Sequence, residues 1–273
     1  MWSLLACARP PADAAVISTE VAAWSWTDTG ATGAATLGSD VLSAELSAAI
    51  ADVPRFDPLL VMVTHEGLYA YAEVECPALV PGSPGRQYWE DDCTATTGAT
   101  FFGWVTWNWF RNVRDEAGRL CADDAFYYGF VRITDPDALR FDGYGTVSYR
   151  GCEEADGTRL VDASLEGDFH FDGAGETFLG AWQPVSLFWT AREGPSGHEL
   201  LLDGTISGRA GPLAAVRFEG LTLTTGEPAG RVTGWDQDGH AYPIDFDGDG
   251  DGCAGEVCVD WSPLTDWTVR PWY

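Results

Sequence analysis

Lysine is absent from this chain of 273 residues: the 15 basic side chains are all arginine, set against 42 acidic ones. Without lysine there is no P-loop, Schiff-base or kinase-type lysine chemistry. Positive charge is scarce altogether, and the formal net charge is -27. A field of that sign repels nucleic acid and anionic membrane surfaces and attracts cations. No run of eighteen apolar residues occurs, so no transmembrane helix is expected. A Gly-x-Ser-x-Gly elbow and a His-Glu-x-x-His pair are also missing. The 4 histidines have no sequence neighbour that would make them a catalytic pair. Arginine in place of lysine throughout, with abundant alanine and glycine, fits a GC-rich genome; a halophile would show the same acidity.

What is present is alternation. In 161–171, Val161, Ala163, Leu165, Gly167, Phe169 and Phe171 share one face, while Asp162, Ser164, Glu166, Asp168 and His170 share the other. Leu200, Leu202, Gly204 and Ile206 repeat the pattern. Period-two alternation gives strands with one dry and one wet face. Asp-Gly pairs at 142–143, 156–157, 172–173, 203–204, 238–239 and 247–248 supply turn chemistry. The expected fold is mainly β, an antiparallel meander forming a sandwich or a curled, barrel-like sheet. One short helix is expected near 39–53. There Leu42, Leu46, Ala49, Ile50 and Val53 fall on one face, and Ser39 or Asp40 would cap the start. Strands are predicted at 17–27, Leu59–Thr64, Leu68–Glu75, Phe101–Asn112 and Ala125–Ile133, with a Pro/Gly-rich loop from Cys76 to Cys93. Residues 17–273 read as a single large β-rich domain, or as two halves meeting near 150.

The cysteines number 7. Leu4-Leu5-Ala6-Cys7 resembles a bacterial lipobox, which implies lipidation of Cys7 and a flexible tether through residue 16. The segment upstream is shorter than a secretory signal requires. Ala8 does not match the aspartate that retains many such lipoproteins at the inner membrane. Setting Cys7 aside leaves Cys76, Cys93, Cys121, Cys152, Cys253 and Cys258. Six cysteines allow 15 pairings, and order along the chain suggests 76–93, 121–152 and 253–258. Reduced thiols in a cytosolic protein are the alternative. Zinc is a weaker one, because no close Cys-x-x-Cys pair exists. Disulfides would place the chain outside the cytoplasm, anchored to an outer membrane by lipid or secreted.

One acidic segment stands out. Asp245, Asp247 and Asp249, then Gly250 and Glu256, resemble the calcium loop of the EF-hand family, with Asp251 offering its backbone carbonyl. The resemblance implies a calcium site built from Asp245, Asp247, Asp249, Asp251 and Glu256. The flanks read as strands, so the family's helix-loop-helix is absent. Gly252 stands where an apolar residue is preferred, and Cys253 at the water-bridged position. An acidic Asp-Gly turn between two strands is the other reading. Asp236, Asp238 and His240 alternate, and form either a second cluster of ligands or a hairpin turn.

Trp104, Trp107 and Trp109 offer either core aromatics or a platform for sugar rings. The pairs Asp91-Asp92, Asp123-Asp124 and Glu153-Glu154 read as solvated loop residues, since strand neighbours point to opposite faces. The leading expectation is an exported, lipid-anchored binding or structural module rather than an enzyme. Its ligand would be a glycan or a protein, with no nucleic-acid partner, and membrane contact only through the anchor. The second expectation is a secreted hydrolase acting on glycans through carboxylates in an aromatic cleft. An outer-membrane barrel ending at Tyr273 is the third; Pro271 would interrupt its last strand.

Overall fold

In a computed structural model of the chain, the described residues are 37–81, 86–137, 139–172, 182–195, 197–208, 211–224 and 227–265. Cys7, the tether and the strand expected at 17–27 lie outside them. Two helices open the described part. The first, α1, spans Ser39–Asp52 and buries Leu42, Leu46, Ala49 and Ile50. Its N-cap is Gly38, with no side-chain cap, rather than Ser39 or Asp40. A 3-10 turn at Val53–Phe56 leads to α2, Pro58–Tyr69.

Helix α2 corrects the sequence reading, which made Leu59–Thr64 and the segment from Leu68 into strands. A short apolar run cannot be assigned by periodicity alone. The deciding signals stand just before it. Asp57 accepts a hydrogen bond from the Leu59 N–H, and Pro58 occupies the first helical turn, where its missing donor costs nothing. Val61, Met62, His65 and Leu68 then share the buried face.

The rest is an antiparallel meander. Eleven strands follow one another in chain order in one sheet, with β1 and β11 at its edges, so the sheet stays open. They are β1 (Val80–Pro81), β2 (Arg86–Thr94), β3 (Thr100–Arg114), β4 (Leu120–Thr134), β5 (Arg140–Glu153) and β6 (Arg159–Asp172). After these come β7 (Trp182–Gly194), β8 (Gly197–Gly208), β9 (Leu213–Thr224), β10 (Glu227–Asp236) and β11 (Ala241–Asp247). The segment expected to be a loop up to Cys93 thus ends in strand β2. Position 150 lies inside β5, which is paired on both sides. A small hairpin, β12 (Cys253–Ala254) with β13 (Val257–Cys258), and a helical turn at Ser262–Thr265 close the described chain.

Several hairpins reuse one turn. At 95–99, 115–119, 154–158 and 236–240 the first N–H donates to the fifth carbonyl, and a positive-φ glycine, 98, 118, 157 or 239, stands fourth. This is the three-residue hairpin loop with a glycine bulge. Asp115 and Asp236 accept local N–H bonds in two of these turns. Not every Asp-Gly pair is a turn, however: Gly143 and Gly204 sit inside β5 and β8.

Register shifts at Phe102/Trp104, Tyr128/Val131, Pro184/Ser186, Leu202/Gly204 and Ala229/Arg231 recur from strand to strand. Bulges bend and twist a strand locally. Repeated across neighbours, they curl the sheet around the two helices. Helix α2 packs on β4, β5 and β6, and α1 on β9. The C-terminal hairpin is tied to α1 by the Cys258 and Asp260 N–H groups, which donate to Ser43 and Ser47 hydroxyls at 3.0 Å each.

The enclosed face is dry. Val147, Leu165, Leu187, Leu202, Ile206 and Val216 are buried on it, beside a cluster of rings that includes Phe126, Tyr128, Phe141 and Phe169. The outward face carries Asp123, Arg150, Asp162, Arg217 and Arg231, all exposed. Such a face is solvated by water, not by acyl chains. Among the described residues no helix is long and apolar enough to cross a membrane.

Candidate functional site

The disulfides join Cys76 to Cys93, Cys121 to Cys152 and Cys253 to Cys258. Each is local, and each has a structural reason. Cys121 and Cys152 are directly opposite on β4 and β5, and Cys253 and Cys258 on β12 and β13. Cys76–Cys93 ties the segment after α2 to strand β2. Three disulfides point to an oxidising, extracytoplasmic environment.

The acidic loop winds through successive Asx turns. Asp247 accepts the Asp249 N–H at 3.1 Å, Asp249 the Asp251 N–H at 3.4 Å, and Asp251 the Cys253 N–H at 2.8 Å. Asp245 points elsewhere. Arg231, its cross-strand neighbour, donates to both its oxygens at 2.7 and 2.9 Å and holds it below the usual carboxylate range. Glu256 is exposed at the tip of the β12–β13 hairpin. For Asp249, the Asp251 N–H pulls the carboxyl down. Desolvation and the charges of Asp247 and Asp251 outweigh it, so the carboxyl lies above its usual range.

Among the described residues, two groups place three ligand atoms within 4.8 Å of one another: Asp236–Asp238–His240 and Asp115–Cys121–Cys152. The second holds a disulfide, which has no thiolate to give. In the first, Asp236 is the buried anchor of a hairpin turn. One oxygen accepts the Asp238 and His240 N–H groups; the other contacts His240 Nδ1 and the Tyr242 hydroxyl, each at 2.9 Å. Burial alone would raise its pKa, but these bonds outweigh burial and lower it. These four contacts engage both of its oxygens, as burial requires.

The tryptophans divide as strand alternation requires. Trp107 stacks on Phe126, with ring planes 9° apart, and packs against the core. Trp104, on the outward face, is 40% exposed and lies over Gly129, where any Cβ would collide with its ring.

A concave surface emerges instead on the outward face of β4–β8. It is a groove of about 380 Å³. Strand register explains its lining. One row crosses five strands as Asp123, Arg150, Asp162, Thr190 and Leu201. The next row holds Ala125, Ser148, Ser164, Phe188 and Asp203. Thr190 donates to Asp162 at 2.9 Å, the Ser148 and Ser164 hydroxyls meet at 2.6 Å, and Asp203 accepts the Gly220 N–H at 2.6 Å. Phe188 and Leu201 are 42% and 37% exposed, large apolar side chains left in water beside these polar groups. The groove lining contains no histidine or cysteine.

The polar face of β6 was visible in the sequence through Asp162 and Ser164, but its neighbours were not. Asp123-Asp124 read as a solvated loop, yet both lie in β4, with Asp123 exposed in the groove. Likewise Asp91-Asp92 lie in β2, and Glu153 ends β5. His65 lies between the strands expected at Leu59–Thr64 and Leu68–Glu75, where no sequence pattern marks it. It is fully buried among Tyr69, Trp107, Phe126, Tyr128 and Phe141, and neither ring nitrogen has a hydrogen-bond partner. Comparison with protein-family models, curated proteins and solved structures finds no match to this chain.

Proposed function

We propose that this chain is an exported ligand-binding module whose binding surface is the outward groove of β4–β8. The observation that carries the reading is the pairing of exposed Phe188 and Leu201 with a concave set of carboxylate, guanidinium and hydroxyl groups on a rigid sheet. Export rests on the disulfides, and lipid attachment through Cys7 on the lipobox resemblance. Recognition is favoured over turnover, because the groove lining offers its serine and threonine hydroxyls no histidine base and its three carboxylates do not converge. The test is a thermal-shift screen against a library of saccharides, peptides and small polar metabolites. Ligands that raise the wild-type melting temperature should have no effect on Ser164→Trp or Ser148→Trp, which fill the groove from its wet face. Both variants should keep the wild-type circular dichroism. Equal shifts in wild type and filled variants would place binding elsewhere.

We further propose that the loop at Asp247–Asp251 takes calcium, with Asp245 joining only by leaving Arg231 and Glu256 only by folding back. Support comes from the crowding of Asp247, Asp249 and Asp251, which a cation would relieve. Calcium at ~100 times its Kd should add about 2.7 kcal/mol of stability, and magnesium less. Asp247→Ala with Asp249→Ala should remove the gain. Equal melting temperatures in calcium and in chelator, at matched ionic strength, would reduce the loop to an acidic turn.

A further inference from the structure

We infer that the groove of β4–β8 takes a neutral oligosaccharide; the inference rests on the binding-module reading and names its ligand class. Three ligand classes can be weighed against the lining. An anion would face Asp123, Asp162 and Asp203 on a chain of net charge -27. A cation or basic peptide would be drawn by the same carboxylates, but Arg150 lies between two of them. Its register partners are Asp123 on β4 and Asp162 on β6, so charge alternates across the row as minus, plus, minus. The carboxylates also do not converge: no three of them fall within metal-ligand reach of one another. Arg150, whose guanidinium also lies 3.8 Å from Asp115, opposes a cation along this row as the carboxylates oppose an anion.

A neutral polyhydroxylated chain meets none of these penalties. Each hydroxyl is both donor and acceptor. The carboxylates accept from it, Arg150 donates to it, and the serine and threonine hydroxyls do either. The C–H face of a pyranose ring is apolar and flat, and Phe188 offers a half-exposed aromatic ring beside the polar row. Length fits as well. Five strands at ~4.8 Å spacing span ~19 Å, which suits several linked rings better than one. Along that direction the sheet continues into β3 and β9.

The experiment is a glycan array probed with the full chain, followed by calorimetry on the strongest neutral ligand. Binding is expected to neutral glycans and to be absent for sulfated, sialylated and uronate-rich ones. Phe188→Ala should weaken it about ten-fold or more, and Phe188→Trp should preserve it. Ser164→Trp should abolish it. An array silent for neutral glycans overturns the sugar inference. If a peptide or metabolite then stabilises wild type but not Ser164→Trp, the groove reading survives; if nothing distinguishes the two proteins, both readings fall.

Discussion

Gly167→Ala should destabilise the protein by about 3 kcal/mol or more, and Gly145→Ala by a similar amount. The two glycines face each other across β5 and β6, at φ +123° and +124°. A Cβ on Gly167 would sit 2.0 Å from the Tyr144 carbonyl oxygen and 2.8 Å from the Gly145 Cα. Neither atom belongs to a side chain that can swing away, so the strands would have to part. The two strands pair there without a break in register, beside the β4–β5 bulge at Tyr128/Val131. Gly157→Ala is the control. It also has positive φ, +85°, but a Cβ there meets nothing within 4 Å. Its cost should be about 1–2 kcal/mol, the penalty of left-handed backbone alone. Urea denaturation of the three variants measures the difference. A loss in Gly167→Ala no larger than in Gly157→Ala would show that the close approach is unimportant.

The second large effect is expected in acid. His65 is enclosed by rings, and burial pushes its pKa down to about 3. In the unfolded chain an imidazole titrates near 6.5. Above pH 6.5 both states hold it neutral and its titration contributes nothing to the balance. As pH falls below 6.5 the unfolded state takes a proton that the folded state refuses, so stability declines steadily towards pH 3. At pH 4.5 the loss should be about 2.7 kcal/mol. The ring has no carboxylate partner to hold a charge. Tyr128, its buried neighbour, has an unpaired hydroxyl and is itself raised well above its ordinary pKa, chiefly by desolvation and further by the charge of Glu66. His65→Phe and His65→Leu should therefore lose about 2.7 kcal/mol less than wild type between pH 7.5 and 4.5. Their surface carboxylates titrate as before. Parallel pH dependences in wild type and both variants would mean that His65 is protonated without cost.

These two residues also show what could be read from the sequence. The meander was legible because alternation in β6 and β8 fixes which side chains face the core, and because short loops leave antiparallel neighbours little choice. The local disulfides were suggested by order along the chain, and register then sets Cys121 opposite Cys152 and Cys253 opposite Cys258. Helix α2 was not legible from its apolar run, although Asp57-Pro58 marked its start. The close approach of β5 and β6 was hidden because glycine within a strand looks like glycine at a turn until register shows Gly145 against Gly167. The groove was hidden for a related reason. Asp123, Arg150, Asp162, Thr190 and Phe188 come from four strands, and only pairing puts them in adjoining rows. In the acidic loop the spacing was plain, but the pull of Arg231 on Asp245 depends on β10 lying beside β11.

The central claim is that the outward groove is the face that works. Its most direct test is a nitrogen-15 NMR titration of the full chain with the strongest neutral glycan from the array. The account predicts shifts at Arg150, Ser164, Phe188 and Thr190, with the amides of Asp247–Asp251 unmoved. Shifts confined to the acidic loop or to the edge strands, with the amides of β5–β7 unmoved, would contradict it.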